Sequence, residues 1–322
     1  MAHRTALSLK TMTMTNHDPI NLKAAQDANN QLTRLATYAS VAVALCLIAI
    51  KTGAWLITDS VALLSSLIDS LLDIFASVVT LVAVRQAQVP ADRDHRFGHG
   101  KAEAIAALAQ SAFVIGSAVL LLFEVGGRLL HPRTIERPEV GIAVILVTIV
   151  LTLSLVIFQR WVVARTGSIA ITADSLHYRG DLLMNAAVIA ALVLGAWGGW
   201  ALADPIFGAL IAVYLAFNAW LIIRKALDML MDRELPEADR TRIYRIASSH
   251  PDTHRAHDLK TRRSGNTVFI QFHLEMDQDM LLVRAHKIAD EVEALIRAEF
   301  PDSEIIIHQD PEGIDEHHDQ YR

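Results

Sequence analysis

Cysteine is nearly absent from this chain: Cys46 is the only one among 322 residues. A single thiol supplies neither a disulfide framework nor a thiolate metal site, so any metal chemistry must rest on histidine and carboxylate. Charge is scarce as well, with Asp, Glu, Lys and Arg making up 20% of the residues. The formal net charge of −6 leaves no basic excess for a nucleic-acid partner. No HExxH-type helix occurs, which removes the usual signature of a metallohydrolase. The first 30 residues are polar and lack the continuous apolar stretch of a cleaved signal peptide.

What the chain has in abundance is apolar surface: 52% of its residues are hydrophobic and its mean hydropathy is +0.33. Runs long enough to cross a bilayer fall at about 36–57, 60–84, 105–123, 140–158, 169–197 and 201–223. Six spans make a helical membrane domain, with the lipid bilayer as its solvent. Arg85, Arg93, Arg96 and Lys101 lie between the second and third spans, and Arg160 and Arg165 between the fourth and fifth. Arg128, Arg133 and Arg137 after the third span oppose that bias. The balance places the even-numbered loops and both termini in the cytoplasm.

Within those spans sit two pairs of ligand-bearing residues at the same spacing. Asp69 and Asp73 lie in SSLIDSLLDIFAS, and His177 and Asp181 in ADSLHYRGDLL. Residues four apart share a helix face, so two facing helices form a cage of three carboxylates and one imidazole, suited to a divalent ion such as zinc. Three carboxylates at membrane depth cost about 9 kcal/mol on insertion scales, a penalty that something must offset. They either pair with Lys51, Arg179 or each other as a structural device, or bind a cation. Lys51 reads as a long side chain that reaches the membrane interface. An imidazole among carboxylates attracts a proton that a divalent cation displaces, so metal and protons compete for one site. Asp174 and Asn185 stand at helical spacing from the cage and read as supporting residues.

Two further groups carry possible ligands. Asp92, His95 and His99 lie in ADRDHRFGHGKAEA after the second span, where Gly98 and Gly100 free the backbone. This is either an auxiliary metal site or a solvated loop with incidental histidines. From Arg233 onward charges become frequent, and residues 236–310 read as a separate domain of order αββαβ, a two-layer α/β sandwich. Its helices are expected at 237–249 and 281–300, and its strands at 257–263, 267–276 and 303–308. Ser264-Gly265-Asn266 supplies a hairpin turn. His257 and His273 sit on adjacent strands, His308 and Asp310 point to one side of an extended segment, and His286 follows on a helix. As a set they fit zinc, with two ions sharing Asp310. The tail after Pro311, with His317 and His318, reads as an acidic disordered segment.

The strings LIDSLLD, ADRDHRFGHGKAEA, FQRWVV, ADSLHYRGD, AHDLKTRRSG, QFHLEM and IIIHQDP together resemble the cation diffusion facilitator family, in its bacterial zinc and iron efflux branch. The resemblance runs from about Thr33 to Pro311. It implies an all-α six-helix transmembrane domain at 33–232 and an α+β, ferredoxin-like, metallochaperone-type cytoplasmic domain at 233–310. A polar extension at 1–32 and a tail at 311–322 flank them.

It also implies a homodimer in the bacterial inner membrane, a transporter and not an enzyme. Such a protein exports Zn²⁺, with Cd²⁺ and Fe²⁺, in exchange for protons. The transport site is implied at Asp69, Asp73, His177 and Asp181, and a loop site at Asp92, His95 and His99. A binuclear site at the dimer interface is implied at His257, His273, His286, His308 and Asp310, with Gln309 close by. Zn²⁺ is thus both cargo and structural ion, and no organic cofactor is implied. A charge interlock between Lys101 and Asp232 holds the protomers in register in this reading. A membrane metallohydrolase and a proton-independent channel stay open as alternatives.

Overall fold

The structure, a computed structural model, describes residues 19–58, 61–130, 138–198 and 203–313. Six long helices come first: α1 (Pro19–Thr58), α2 (Val61–Ala87), α3 (Lys101–Leu130), α4 (Pro138–Thr166), α5 (Ile169–Gly198) and α6 (Ala203–Leu230). Each has 27 residues or more, beyond the roughly 20 that a bilayer core requires. α1 and α4 both begin on proline, whose fixed φ and missing N–H suit a first helical position. Residues 19–32, read from sequence as part of a polar extension, already belong to α1. Among the described residues, α1, α2, α3, α4 and α6 contain windows apolar enough to cross a membrane. α5 matches them in length but carries Asp174, Arg179 and Asp181 in its first half.

The helices meet through small side chains. Ala36, Ala44, Ala104, Ala107, Ala118, Ala173, Ala212, Ala219 and Ala226 are all buried, which lets backbones approach closely where lipid offers no hydrophobic driving force. Large apolar residues turn outward instead, as Phe75, Leu120, Phe123 and Phe217 do. An apolar exterior over a polar-containing interior is the arrangement lipid favours. Lys51 departs from the sequence reading: its ammonium does not reach the interface. It is buried between helices, where it donates to Ser70 Oγ at 2.6 Å and the Ser66 carbonyl at 3.1 Å, both on α2. The inward-facing serines of α2 hold it there.

The second part is built from α7 (Glu237–Ala247), β1 (Arg255–Ser264), β2 (Thr267–Met276), α8 (Leu282–Glu299) and β3 (Ser303–Pro311). This is the αββαβ order read from the sequence. β2 is central, antiparallel to β1 and parallel to β3. The hairpin turns at Gly265, whose φ of +59° favours glycine. Ile243, Ile270, Phe272, Leu274, Ile288, Val292 and Ile296 form the core between the helices and one sheet face. The tail residues 314–322 lie outside the described residues.

The two parts meet at the segment between α2 and α3. A Cβ on Gly100 would lie 2.5 Å from the Ser264 carbonyl oxygen, so only glycine lets the loop pass this close to the hairpin. Nearby, the Arg262 guanidinium lies over both Phe97 and Phe269, 4.6 and 4.5 Å from their ring centres, and the two rings meet edge to face 5.6 Å apart. Lys101 Nζ lies 2.9 Å from Asp232 Oδ1, which Arg262 also approaches at 3.4 Å. The Lys101–Asp232 interlock read from sequence as a register device between protomers therefore forms inside one chain, across the foot of α3 and α6.

Candidate metal centres

α2 faces the bundle along Ser70, Asp73, Ser77, Thr80 and Val84, all buried at helical spacing. Asp73 belongs to this stripe. Asp69 sits one turn earlier, about 40° around the helix because four residues overshoot one turn, and it is exposed. The structure consequently joins three of the four expected residues: ligand atoms of Asp73, His177 and Asp181 lie within 4.8 Å of one another. His177 Nε2 is 2.9 Å from Asp73 Oδ1 and 3.8 Å from Asp181 Oδ2. Asp69 is not in this group. The edge of Phe113 packs on the imidazole with ring centres 5.5 Å apart, closing one side of the site with an apolar wall.

The surroundings of the cage contain residues that sequence spacing did not single out. The hydroxyls of Tyr178 and Ser77 meet at 2.8 Å, and Tyr178 also donates to the Ser40 carbonyl at 3.2 Å. Asp174 accepts hydrogen bonds from Ser40 of α1 and Gln159 of α4. Asn185 donates to the Asp181 carbonyl at 2.8 Å, a bond within α5. Neither Asp174 nor Asn185 joins the cage. The available signal was polarity inside an apolar span, visible for Ser40, Ser77 and Gln159 but without a spacing rule to pair them.

The loop group also comes together, with ligand atoms of Asp92, His95 and His99 within 4.8 Å of one another. Asp92 lies 3.5 Å from His95 Nδ1 and 3.4 Å from His99 Nε2. The backbone N–H of His95 donates to Asp92 at 2.7 Å, that of Asp94 at 2.9 Å, and both bonds hold the carboxyl below its usual range. It is therefore ionised at neutral pH and available to a cation. His99 is the least exposed member of this group, and Asp92 and His95 are open to solvent. A cavity of about 390 Å³ adjoins it, lined by Asp27, His99 and Glu103 on one side and Gly265 and Glu304 on the other.

In the C-terminal sheet, register does the work of assembly. His257 pairs with His273 across β1 and β2, and His273 with His308 across β2 and β3, so three imidazoles form a row over one face. Asp310 lies two residues beyond His308 and returns to the same face. His273 Nδ1 is 2.8 Å from Asp310 Oδ2, His257 Nε2 3.5 Å from that oxygen, and His308 Nε2 3.1 Å from Oδ1. Glu275, not singled out from sequence, lies 3.4 Å from His257 Nδ1. His286 stands apart on α8, exposed and 3.7 Å from Asp290, one turn along the same helix.

Asp310 Oδ1, His257 Nδ1 and Gln309 Oε1 are buried without a hydrogen-bond partner. An enclosed carboxylate with imidazole nitrogens converging on it, and atoms of the group left without a hydrogen-bond partner, is a donor set that could hold a divalent cation.

Comparison with known proteins matches each of the two parts of the chain to a family. The family described as "Cation efflux transmembrane domain" matches residues 37–231, and "Cation efflux protein, cytoplasmic domain" matches residues 235–312. The cation-efflux pump FieF of Shewanella oneidensis is 52% identical over 278 residues, covering 86% of this chain and 94% of that protein. FieF of Pectobacterium atrosepticum is 50% identical over 281 residues, 87% of this chain and 93% of its own. The metal-bound C-terminal domain of the CzcD transporter from Thermotoga maritima is 24% identical, with a TM-score of 0.24, over 26% of this chain and 100% of that one.

Proposed function

This chain belongs to the cation efflux family, and on that premise we propose that it exports Zn²⁺ in exchange for protons, with Cd²⁺ and Fe²⁺ as further substrates. The observation that carries this reading is the His177 Nε2 to Asp73 Oδ1 contact of 2.9 Å between α2 and α5, with Asp181 beside it. A neutral imidazole and carboxylates are ligands that must lose protons to hold a divalent ion, and that take them back when it leaves. Two carboxylates and one nitrogen satisfy three positions of a tetrahedral zinc, and Asp69 stands one turn away to supply the fourth.

In this reading a cation from the cytosol reaches the cage and displaces protons from His177 and its carboxylates. α2 and α5 then tilt so that the site opens to the opposite side. Protonation there releases the ion and resets the cage. The protein works as a homodimer in the bacterial inner membrane with both termini in the cytoplasm, and its C-terminal domains associate. Zn²⁺ held by His257, His273, His308 and Asp310 ties each sheet together and neutralises its buried carboxylate. His286 projects from the outer surface of α8 and is available to a second protomer. The Asp92, His95 and His99 group gathers cations beside the cytosolic cavity.

Metal-resolved uptake into proteoliposomes tests this, with Zn²⁺, Cd²⁺, Fe²⁺ and Mn²⁺ compared at fixed pH gradients. Zinc transport that follows the pH gradient supports the exchanger. A metal current indifferent to that gradient supports the channel alternative instead.

A further inference from the structure

Asp174 is an intramembrane carboxyl that the ion cage leaves unused. It lies on α5 one turn before His177 and has no solvent exposure. Its Oδ2 accepts from Ser40 Oγ of α1 at 2.6 Å and from Gln159 Nε2 of α4 at 2.7 Å. Its Oδ1 is buried without a hydrogen-bond partner, and so is Gln159 Oε1, the other half of the same amide. Among the described residues, no Lys, Arg or His forms an ion pair with it.

An ionised Asp174 leaves this pocket short of donors. Both orphaned atoms, Asp174 Oδ1 and Gln159 Oε1, are then acceptors facing no hydrogen. Ser40 has a single hydroxyl hydrogen, yet it lies within bonding distance of both Asp174 Oδ2 and the Ala36 carbonyl, the latter at 3.0 Å. A buried carboxylate with no cation in ion-pair contact, and with both its donors on one oxygen, leaves part of the desolvation penalty uncompensated.

One proton on Oδ1 removes the deficit. The resulting hydroxyl supplies a donor to a pocket in which Asp174 Oδ1 and Gln159 Oε1 both lack one, beside the Nε2 to Oδ2 bond that already joins the two side chains. Turning the amide over does not help, because its carbonyl oxygen would then stand 2.7 Å from Oδ2, two acceptors in contact without a proton.

We propose that Asp174 is a permanently neutral carboxylic acid, and that its pairing with Gln159 and Ser40 clamps α5 to α1 and α4 and thereby positions His177. The clamp continues through Tyr178, whose hydroxyl meets Ser77 of α2. Asp174 is thus a positioning residue, and its proton is not one of those exchanged for metal. The inference rests on the packing of α1, α4 and α5 and stands whichever ion the cage carries.

Infrared spectroscopy of the full-length, zinc-loaded protein at alkaline pH tests it. Wild type minus Asp174→Asn is expected to contain a carboxylic acid C=O stretch. Gln159→Ala, which removes both amide partners, is expected to move that band to higher frequency and so assigns it without the Asn variant. In proteoliposomes, Asp174→Asn keeps zinc flux within about threefold and retains the wild-type pH profile, because it preserves a neutral hydrogen-bonding group. Asp174→Leu, which cannot make the pair, loses about tenfold or more.

A carboxylate band in place of the acid band overturns the proposal. So does an acid band unmoved by Gln159→Ala, or a flattened pH profile in Asp174→Asn. Failure of wild-type exchange would instead contradict the transport reading and leave the infrared result standing.

Discussion

His177 Nε2 and Asp73 Oδ1 stand 2.9 Å apart although 104 residues of chain separate them, and their contact joins α5 to α2 at the centre of the cage. Asp69, four residues before Asp73, is exposed and takes no part in that contact. The two aspartates of one motif are therefore unequal. Asp73→Ala is expected to lower zinc affinity by about 100-fold or more, since it removes a ligand and leaves His177 without its partner. Asp69→Ala is expected to lower it less, by about 10-fold. Isothermal titration of the purified variants checks the order, and equal losses would contradict the asymmetry.

Asp310 is the hub of the C-terminal group, contacted by His257, His273 and His308. Saturating zinc is expected to stabilise the wild-type C-terminal domain by about 2.7 kcal/mol at a hundred times the dissociation constant. Asp310→Ala removes most of that gain and leaves the metal-free melting temperature close to wild type or higher, because a buried carboxyl among histidines is no longer present. Calorimetric melts with zinc and with a chelator supply the comparison.

Gly100 is the tightest point between the loop and the C-terminal hairpin. Gly100→Ala is expected to destabilise the docked arrangement by about 1–3 kcal/mol, as overpacking against backbone does. The Cβ would meet Ser264 atoms at 2.5 and 2.6 Å, and Gly265 cannot yield freely with its φ of +59°. Faster proteolysis of the joint in the Ala variant, with an unchanged isolated C-terminal domain, is the expected readout.

Asp232 gives a pH dependence whose sign follows from its neighbours. Burial raises its carboxyl, but the hydrogen bond and charge of Lys101, followed by those of Arg262, hold it below the usual range. A depressed carboxyl contributes stability above its unfolded value near pH 3.9, and that contribution is lost as pH falls through the folded value. The side chain is 41% exposed, so screening limits the pair to about 1 kcal/mol or less. Asp232→Asn is thus expected to be slightly less stable than wild type at neutral pH and equal to it once the solution is acid enough to protonate both states. Denaturant titrations across that range show the convergence.

The strongest periodic signals in the sequence carried furthest. Six apolar runs became six helices, and the αββαβ order followed from strand alternation and one glycine turn. The histidine row was less accessible, because it depends on pairing register: His257 opposite His273 and His273 opposite His308 follow from how three strands align, which local pattern does not specify. Asp69 stands outside the group in the structure because residues four apart share a face only approximately. Lys51 misled because rules for membrane lysines consider the distance to the interface and not the serines of a neighbouring helix. The Asp174, Gln159 and Ser40 cluster was invisible for a similar reason, being assembled from three helices with no common motif.

On the proposed mechanism the cage of Asp73, His177 and Asp181 carries the ion and releases it in exchange for protons. Simultaneous recording of zinc and proton movement in proteoliposomes, for wild type, Asp73→Ala and Asp181→Ala, tests it most directly. The expected result is coupled and opposite movement of zinc and protons in wild type, with both lost together in each variant. Zinc flux that persists with its pH dependence intact in either variant, or zinc movement in wild type without protons, would contradict it.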